Sequence, residues 1–173
     1  MDSRQEPKLM ENYQVMLTIV PVNEGNKLIA RQLLSEYGIY LFEDLKLMAG
    51  SDTFFKELKT FPDEKYQFPN GEFFLAYMNE QAIGCAGLKR FDDFSCELKR
   101  MYIRPAFRGQ GFGIMLTDLL LEAAKQLAFR KVLLDTNLEM PAAIKTYLKA
   151  GFKEIPAYCG NDNDHPIFME YQF

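Results

Sequence analysis

Tryptophan is absent from this chain of 173 residues, and histidine occurs once, as His165. Cysteine occurs three times (Cys85, Cys96, Cys159), with no CxxC spacing. An odd, scattered set does not make a disulfide framework, so reduced and buried thiols in a cytoplasmic protein are expected. With one histidine and no His/Cys cluster, no metal is expected either. No apolar stretch approaches the roughly 18 residues that cross a membrane. The N-terminal "MDSRQEPKLMENYQ" has no apolar signal core. Positive charge is outnumbered, with 20 Lys and Arg against 24 Asp and Glu. A net charge of −4 argues against nucleic-acid binding through bulk electrostatics.

Core material is plentiful. Hydrophobic residues make up 48% of the chain, with 15 Phe and 9 Tyr. Such a chain suits one domain, since domains cluster around ~100–150 residues. Residues 1–15 are polar and are expected to form a flexible segment before a domain spanning 16–173.

The apolar pattern predicts a mixed α/β sheet. "VMLTIVP" reads as a strand ended by Pro21. After Asn23, a candidate N-cap, Leu28, Ile29, Leu33, Leu34 and Tyr37 recur at helical spacing, with Gly38 as the expected C-cap. "FEDLKLMAG" and "SDTFFKELKTF" predict further helical pieces. "EFFLAYM" and "QAIGCAGLKRF" predict a hairpin turning at Asn79-Glu80, followed by a third strand, "SCELKRMYI". A helix over 113–129 carries Leu116, Leu119, Leu120, Ala123 and Leu127 on one stripe, which Phe112 just before it extends. "KVLLDT" is continuously apolar, as a strand covered on both faces should be. Pro141 and Gly151 bracket the last helix, and "FKEI" and "IFMEYQF" are closing strands.

In "CELKRMYI" the apolar residues change phase. Cys96 and Leu98 are even, whereas Met101 and Ile103 are odd. A β-bulge near Lys99–Arg100 would produce that slip, and bulges gather beside active sites.

Gly109, Gly111 and Gly113 lead directly into a helix. A helix N-terminus offers unpaired N–H groups and partial positive charge, and glycine lets a phosphate come close. Arg104 and Arg108 add charge nearby; the alternative is a flexible loop with solvated arginines. A Walker A loop would need Gly-Lys-Ser/Thr, but Ile114 follows Gly113. The dinucleotide fingerprint GxGxxG also fails at Ile114, and "RPAFR" is too long for its tight turn, which disfavours a nucleotide-binding oxidoreductase.

"RGQGFG", Arg108 to Gly113, resembles the Arg/Gln-x-x-Gly-x-Gly/Ala motif of the Gcn5-related N-acetyltransferases (GNAT family). "ELKRMYIRPAFRGQGFG" is similar to that family's fourth strand and cofactor loop. "LLDT" is similar to its fifth strand. "AAIKTYLKAGFKEI" is similar to its next helix and strand, with Tyr-x-x-x-Gly-Phe. The specific match covers 96–155, and the element order about 16–173. The resemblance implies a single-domain fold with a mixed, mostly antiparallel sheet whose fourth and fifth strands splay.

It also implies an acetyl-CoA-dependent N-acetyltransferase acting on a primary amine by direct attack. Arg108, Gly109, Gln110, Gly111, Phe112, Gly113 and Ile114 would cradle the pyrophosphate. The backbone of Met101, Tyr102 and Ile103 and the side chain of Asn137 would hold the pantetheine arm. Tyr147 takes the position of the general acid; otherwise it is a core aromatic. Glu97 is the candidate base, or else an ion-pair partner of Lys99 or Arg100. The partner implied is a small-molecule amine or a peptide N-terminus, and a homodimer is compatible. The alternative is a non-catalytic acyl-CoA-binding module.

Overall fold

The computed structural model describes residues 17–173; the expected flexible segment, 1–15, lies outside the described residues. Among the described residues, seven strands form one sheet, and four α-helices pack on its two faces. The strands are β1 (Leu17–Pro21), β2 (Gly71–Met78), β3 (Gln81–Arg90), β4 (Ser95–Ile103), β5 (Lys131–Asn137), β6 (Lys153–Ile155) and β7 (Pro166–Gln172). The helices are α1 (Lys27–Ile39), α2 (Ser51–Thr60), α3 (Phe112–Gln126) and α4 (Pro141–Ala150). The strand order is β1-β2-β3-β4-β5-β7-β6, antiparallel throughout except for the parallel β4/β5 pair.

Period-two alternation sorts β2 between two cores. Phe74 and Ala76 join Leu116, Leu120 and Val132 on the α3 face. Phe73 and Leu75 join Leu33, Leu34 and Phe61 on the α1 face. Each fully buried leucine or phenylalanine is worth ~1.5–3 kcal/mol, so these two clusters hold the layers together. The β2/β3 hairpin turns at Asn79, which has φ 55°, a conformation asparagine tolerates.

The first helix differs from expectation at both ends. It starts after Asn26 rather than Asn23. It also runs through Gly38 into a π-helical turn, Tyr40–Asp44. Gly38 serves packing here rather than capping: a Cβ would lie 2.6 Å from the Phe54 ring of α2.

The expected bulge is present. Gly87 pairs with Lys99 and Cys85 with Tyr102, leaving an extra residue on β4. Arg100 sits there with φ 59°. The bulge resolves the phase slip, because Cys96, Leu98, Met101 and Ile103 all reach the same core. Tyr102 goes to the opposite one.

Candidate active site

β4 and β5 pair over three rungs only, Ser95–Glu97 against Lys131–Leu133. Beyond them β4 continues to Ile103 and β5 to Asn137, so the strands part into a wedge. A cavity of about 360 Å³ opens there, reaching from Met101, Asn137 and Tyr147 to Thr53 of α2 and Asn161 of the loop before β7.

At one end of the wedge stands the glycine loop. Gly109 has φ 74° and Gly111 φ 87°, a left-handed conformation that favours glycine. Gly111 caps α3 with no side-chain hydrogen bond, and the first turn holds no acidic residue. Among the described residues, the N–H groups of 109–114 have no acceptor. A Cβ on Gly109 or Gly111 would meet no protein atom within 4 Å. The loop is therefore an open row of donors at a positive helix end, which suits a pyrophosphate.

The two arginines beside this loop are engaged with protein. Arg104 forms a two-point pair with Glu36 (2.9 and 2.8 Å), so it pins β4 to α1 instead of charging the loop. The hydrogen bond from Arg104 holds the Glu36 carboxyl below its usual range. Arg108 donates to the Ile103 carbonyl at 2.8 Å and lies 4.3 Å over the Tyr40 ring. Gln110 donates back to the Ala106 carbonyl at 3.0 Å, and Phe112 packs into the core beside Phe107. Ile114, half-buried in the first turn, contributes its backbone N–H.

Along the wedge, Asn137 is 6% exposed, and its Oδ1 is buried with no hydrogen-bond partner. An unpaired buried acceptor costs ~1–3 kcal/mol, and an amide N–H in the wedge would relieve it. The pantetheine arm offers such a group, so the residues present fit acetyl-CoA. Tyr147 is 7% exposed, and its hydroxyl lies 3.6 Å from Met101 Sδ. Burial pushes the Tyr147 phenol well above its usual value. Tyr102 turns its ring onto Tyr37 and Tyr40 and its carbonyl toward β3, so of Met101, Tyr102 and Ile103 it is Met101 that lines the cavity. Gly84 permits the close approach of β3, because a Cβ would lie 2.3 Å from the Tyr102 carbonyl oxygen.

Glu97, 4% exposed, belongs to a charge cluster at the base of the wedge. It accepts from Tyr158 at 3.2 Å and pairs with Lys99 at 3.3 Å and Lys89 at 3.5 Å. Lys99 reaches on to Asp135 at 2.6 Å, and Asn161 donates to the other Asp135 oxygen at 2.9 Å. Burial alone would lower the Lys99 ammonium, but Asp135 and Glu97 outweigh it and hold it above its usual range. Lys99 and Asp135 line the cavity, whereas Glu97 lies behind them. Glu97, Asp135 and Cys159 bring ligand atoms within 4.8 Å of one another. The cation among the two carboxylates is the Lys99 ammonium.

Asp135, Lys99, Tyr158 and Asn161 were not singled out by the sequence as site residues. The phase slip in "CELKRMYI" was the signal for Lys99. The loop residues Tyr158 and Asn161, both uncharged, carried none.

A splayed β4/β5 wedge, with a glycine-capped helix at its end, defines the acetyltransferase architecture. The acetyltransferase (GNAT) family profile matches residues 42–152, and the chain belongs to that family of acetyl-CoA-using enzymes. It is 28% identical over 148 residues to an uncharacterized N-acetyltransferase of Schizosaccharomyces pombe, covering 84% of this chain and 85% of that protein. A GNAT-family acetyltransferase from Staphylococcus aureus superposes with TM-score 0.73 at 22% identity, over 91% of this chain and 99% of the other. A spermidine N-acetyltransferase from Vibrio cholerae, solved with CoA and spermine, gives 0.65 at 18% identity, over 90% and 95%. The structural likenesses establish the fold. Among the described residues, no helix is long and apolar enough to cross a membrane.

Proposed function

We propose that this protein transfers an acetyl group from acetyl-CoA to a primary amine of a small molecule by direct attack in the wedge. The supporting observation is the buried Tyr147 hydroxyl beside Met101, in the wall of the cavity. The cavity's size also favours a small acceptor. At about 360 Å³ it lies at the lower end of ligand pockets, which run ~300–1,000 Å³, and the acetyl tip must share it.

The N–H groups of 109–114 hold the pyrophosphate, and the β4 backbone and Asn137 orient the arm. A free amine titrates near ~8 to ~10.4, so the attacking nitrogen must lose a proton. Of the two carboxylates in the cavity wall, Asp135 and Asp162, we assign that proton to Asp135, which stands on β5 within the wedge. Glu97 then acts as a positioning residue, holding Lys99 beside Asp135. As the C–N bond forms, the carbonyl oxygen takes negative charge; as the C–S bond breaks, the thiolate takes the Tyr147 proton. A thiolate whose thiol titrates near ~8.5 can take a proton from a phenol only in a dry site that places the two together, and the burial of Tyr147 supplies one.

Acetyl-CoA with a panel of primary amines tests the reading, with free CoA measured by a thiol reagent. CoA release dependent on an amine is expected. Acetyl-CoA binding with no release from any amine would point to a non-catalytic acyl-CoA module.

A further inference from the structure

Arg100 occupies the bulge, with φ 59°. A left-handed backbone is uncommon for a long side chain and marks a position held for a reason. Its guanidinium lies 4.7 Å over the Phe54 ring, which fixes its plane. Only Nη2 is engaged, donating to Glu57 Oε2 at 2.9 Å. That same oxygen is shared with Lys65 at 3.2 Å. Nε is buried and has no acceptor, and Nη1 has none among the described residues. A guanidinium carries five donors in a rigid fork suited to a carboxylate; with Nη2 on Glu57 and Nε buried, Nη1 is the donor left for a ligand in the cavity.

The same cavity wall carries Asp135 and Asp162 on its other side. Lys99 is paired with Asp135 and Glu97, and Arg100 with Glu57, so the wall presents both signs rather than the uniform negative face a polycation would need. A molecule with one amine and one acid group meets opposite charge at both ends. Resting on the acetyltransferase reading above, we infer that the acceptor is a small amine bearing its own carboxylate, an amino-acid-like molecule, and that Arg100 is the residue that recognises it.

Matched acceptors test this. L-alanine is compared with ethylamine, and L-lysine with cadaverine, with spermidine as the polyamine arm; CoA release is measured for each. Each amino acid is expected to exceed its decarboxylated partner at least tenfold in kcat/KM. Arg100→Gln should bring each pair near parity by raising KM for the amino acid, with KM for acetyl-CoA unchanged. Arg100→Lys should keep part of the preference.

Better turnover of ethylamine, cadaverine or spermidine by the parent protein overturns the inference, and that comparison needs no variant to fold. A preference that survives in a folded Arg100→Gln protein also overturns it, making Arg100 a structural partner of Glu57. CoA release without preference sinks the inference alone. No release from any acceptor sinks the acetyltransferase reading, and this inference with it.

Discussion

The Tyr147 hydroxyl lies 3.6 Å from Met101 Sδ, its one hydrogen-bonding neighbour among the described residues. A thioether is a weak acceptor, so the phenol is held without being committed. Tyr147→Phe keeps the ring that packs 5.7 Å from Phe152. The stability cost should be about 1 kcal/mol or less. Turnover should fall ~10²–10⁴-fold, with acetyl-CoA affinity near parental. Stopped turnover measured beside a melting curve checks both. Near-parental turnover would assign the thiolate's proton to another donor.

Gly111→Val is expected to weaken acetyl-CoA binding at least tenfold, about 1.4 kcal/mol, while the protein still folds. A Cβ there would meet no protein atom within 4 Å, so the loss comes from a φ of 87° and from a branched group over the donor row. Titration by calorimetry reads it. Parental affinity in a folded variant would remove the pyrophosphate from this loop.

Asp135→Asn should reduce turnover most at low pH, where fewer acceptor amines are already neutral, and least at high pH. Glu97→Gln should cost less and leave the shape of the pH profile unchanged, because Lys99 stands between Glu97 and the cavity. A larger, pH-dependent loss in Glu97→Gln would make Glu97 the proton acceptor.

Burial pushes the Tyr37 phenol up to about 12. Its folded value is raised, so its contribution to stability is complete below the unfolded value of ~10 and declines as pH climbs past it. The melting temperature of the parent should therefore fall more steeply between those two values than that of Tyr37→Phe. Parallel curves would show that Tyr37 is wetter than its position implies.

Much of the fold could be read from period and punctuation. Asn79-Glu80 marked the hairpin, and the phase slip marked the bulge, because both are local backbone facts. The end of α1 could not be read so. Gly38 looks like a cap in sequence, yet its meaning lies in Phe54, which reaches it from α2. Gly38→Ala should overpack that contact, at a cost of ~1–3 kcal/mol seen in thermal melts. The glycine loop was legible because its function is carried by backbone. Arg104 and Glu97 were less so: whether a charge faces ligand or another side chain depends on what tertiary folding brings opposite, here Glu36 and Lys99.

The three-rung pairing of β4 with β5 makes the sheet two leaves joined along a short seam. One leaf carries β1 to β4, the other β5 to β7. Past the seam the facing edges of β4 and β5 no longer pair with each other, and a molecule lying between them would act as a further strand. Such a molecule would stitch the leaves together and stabilise the folded form by mass action. The amides along the opened edge of β4 should then exchange with solvent fastest when the wedge is empty and slow most when it fills, so that the chain is tightest in the state in which it works.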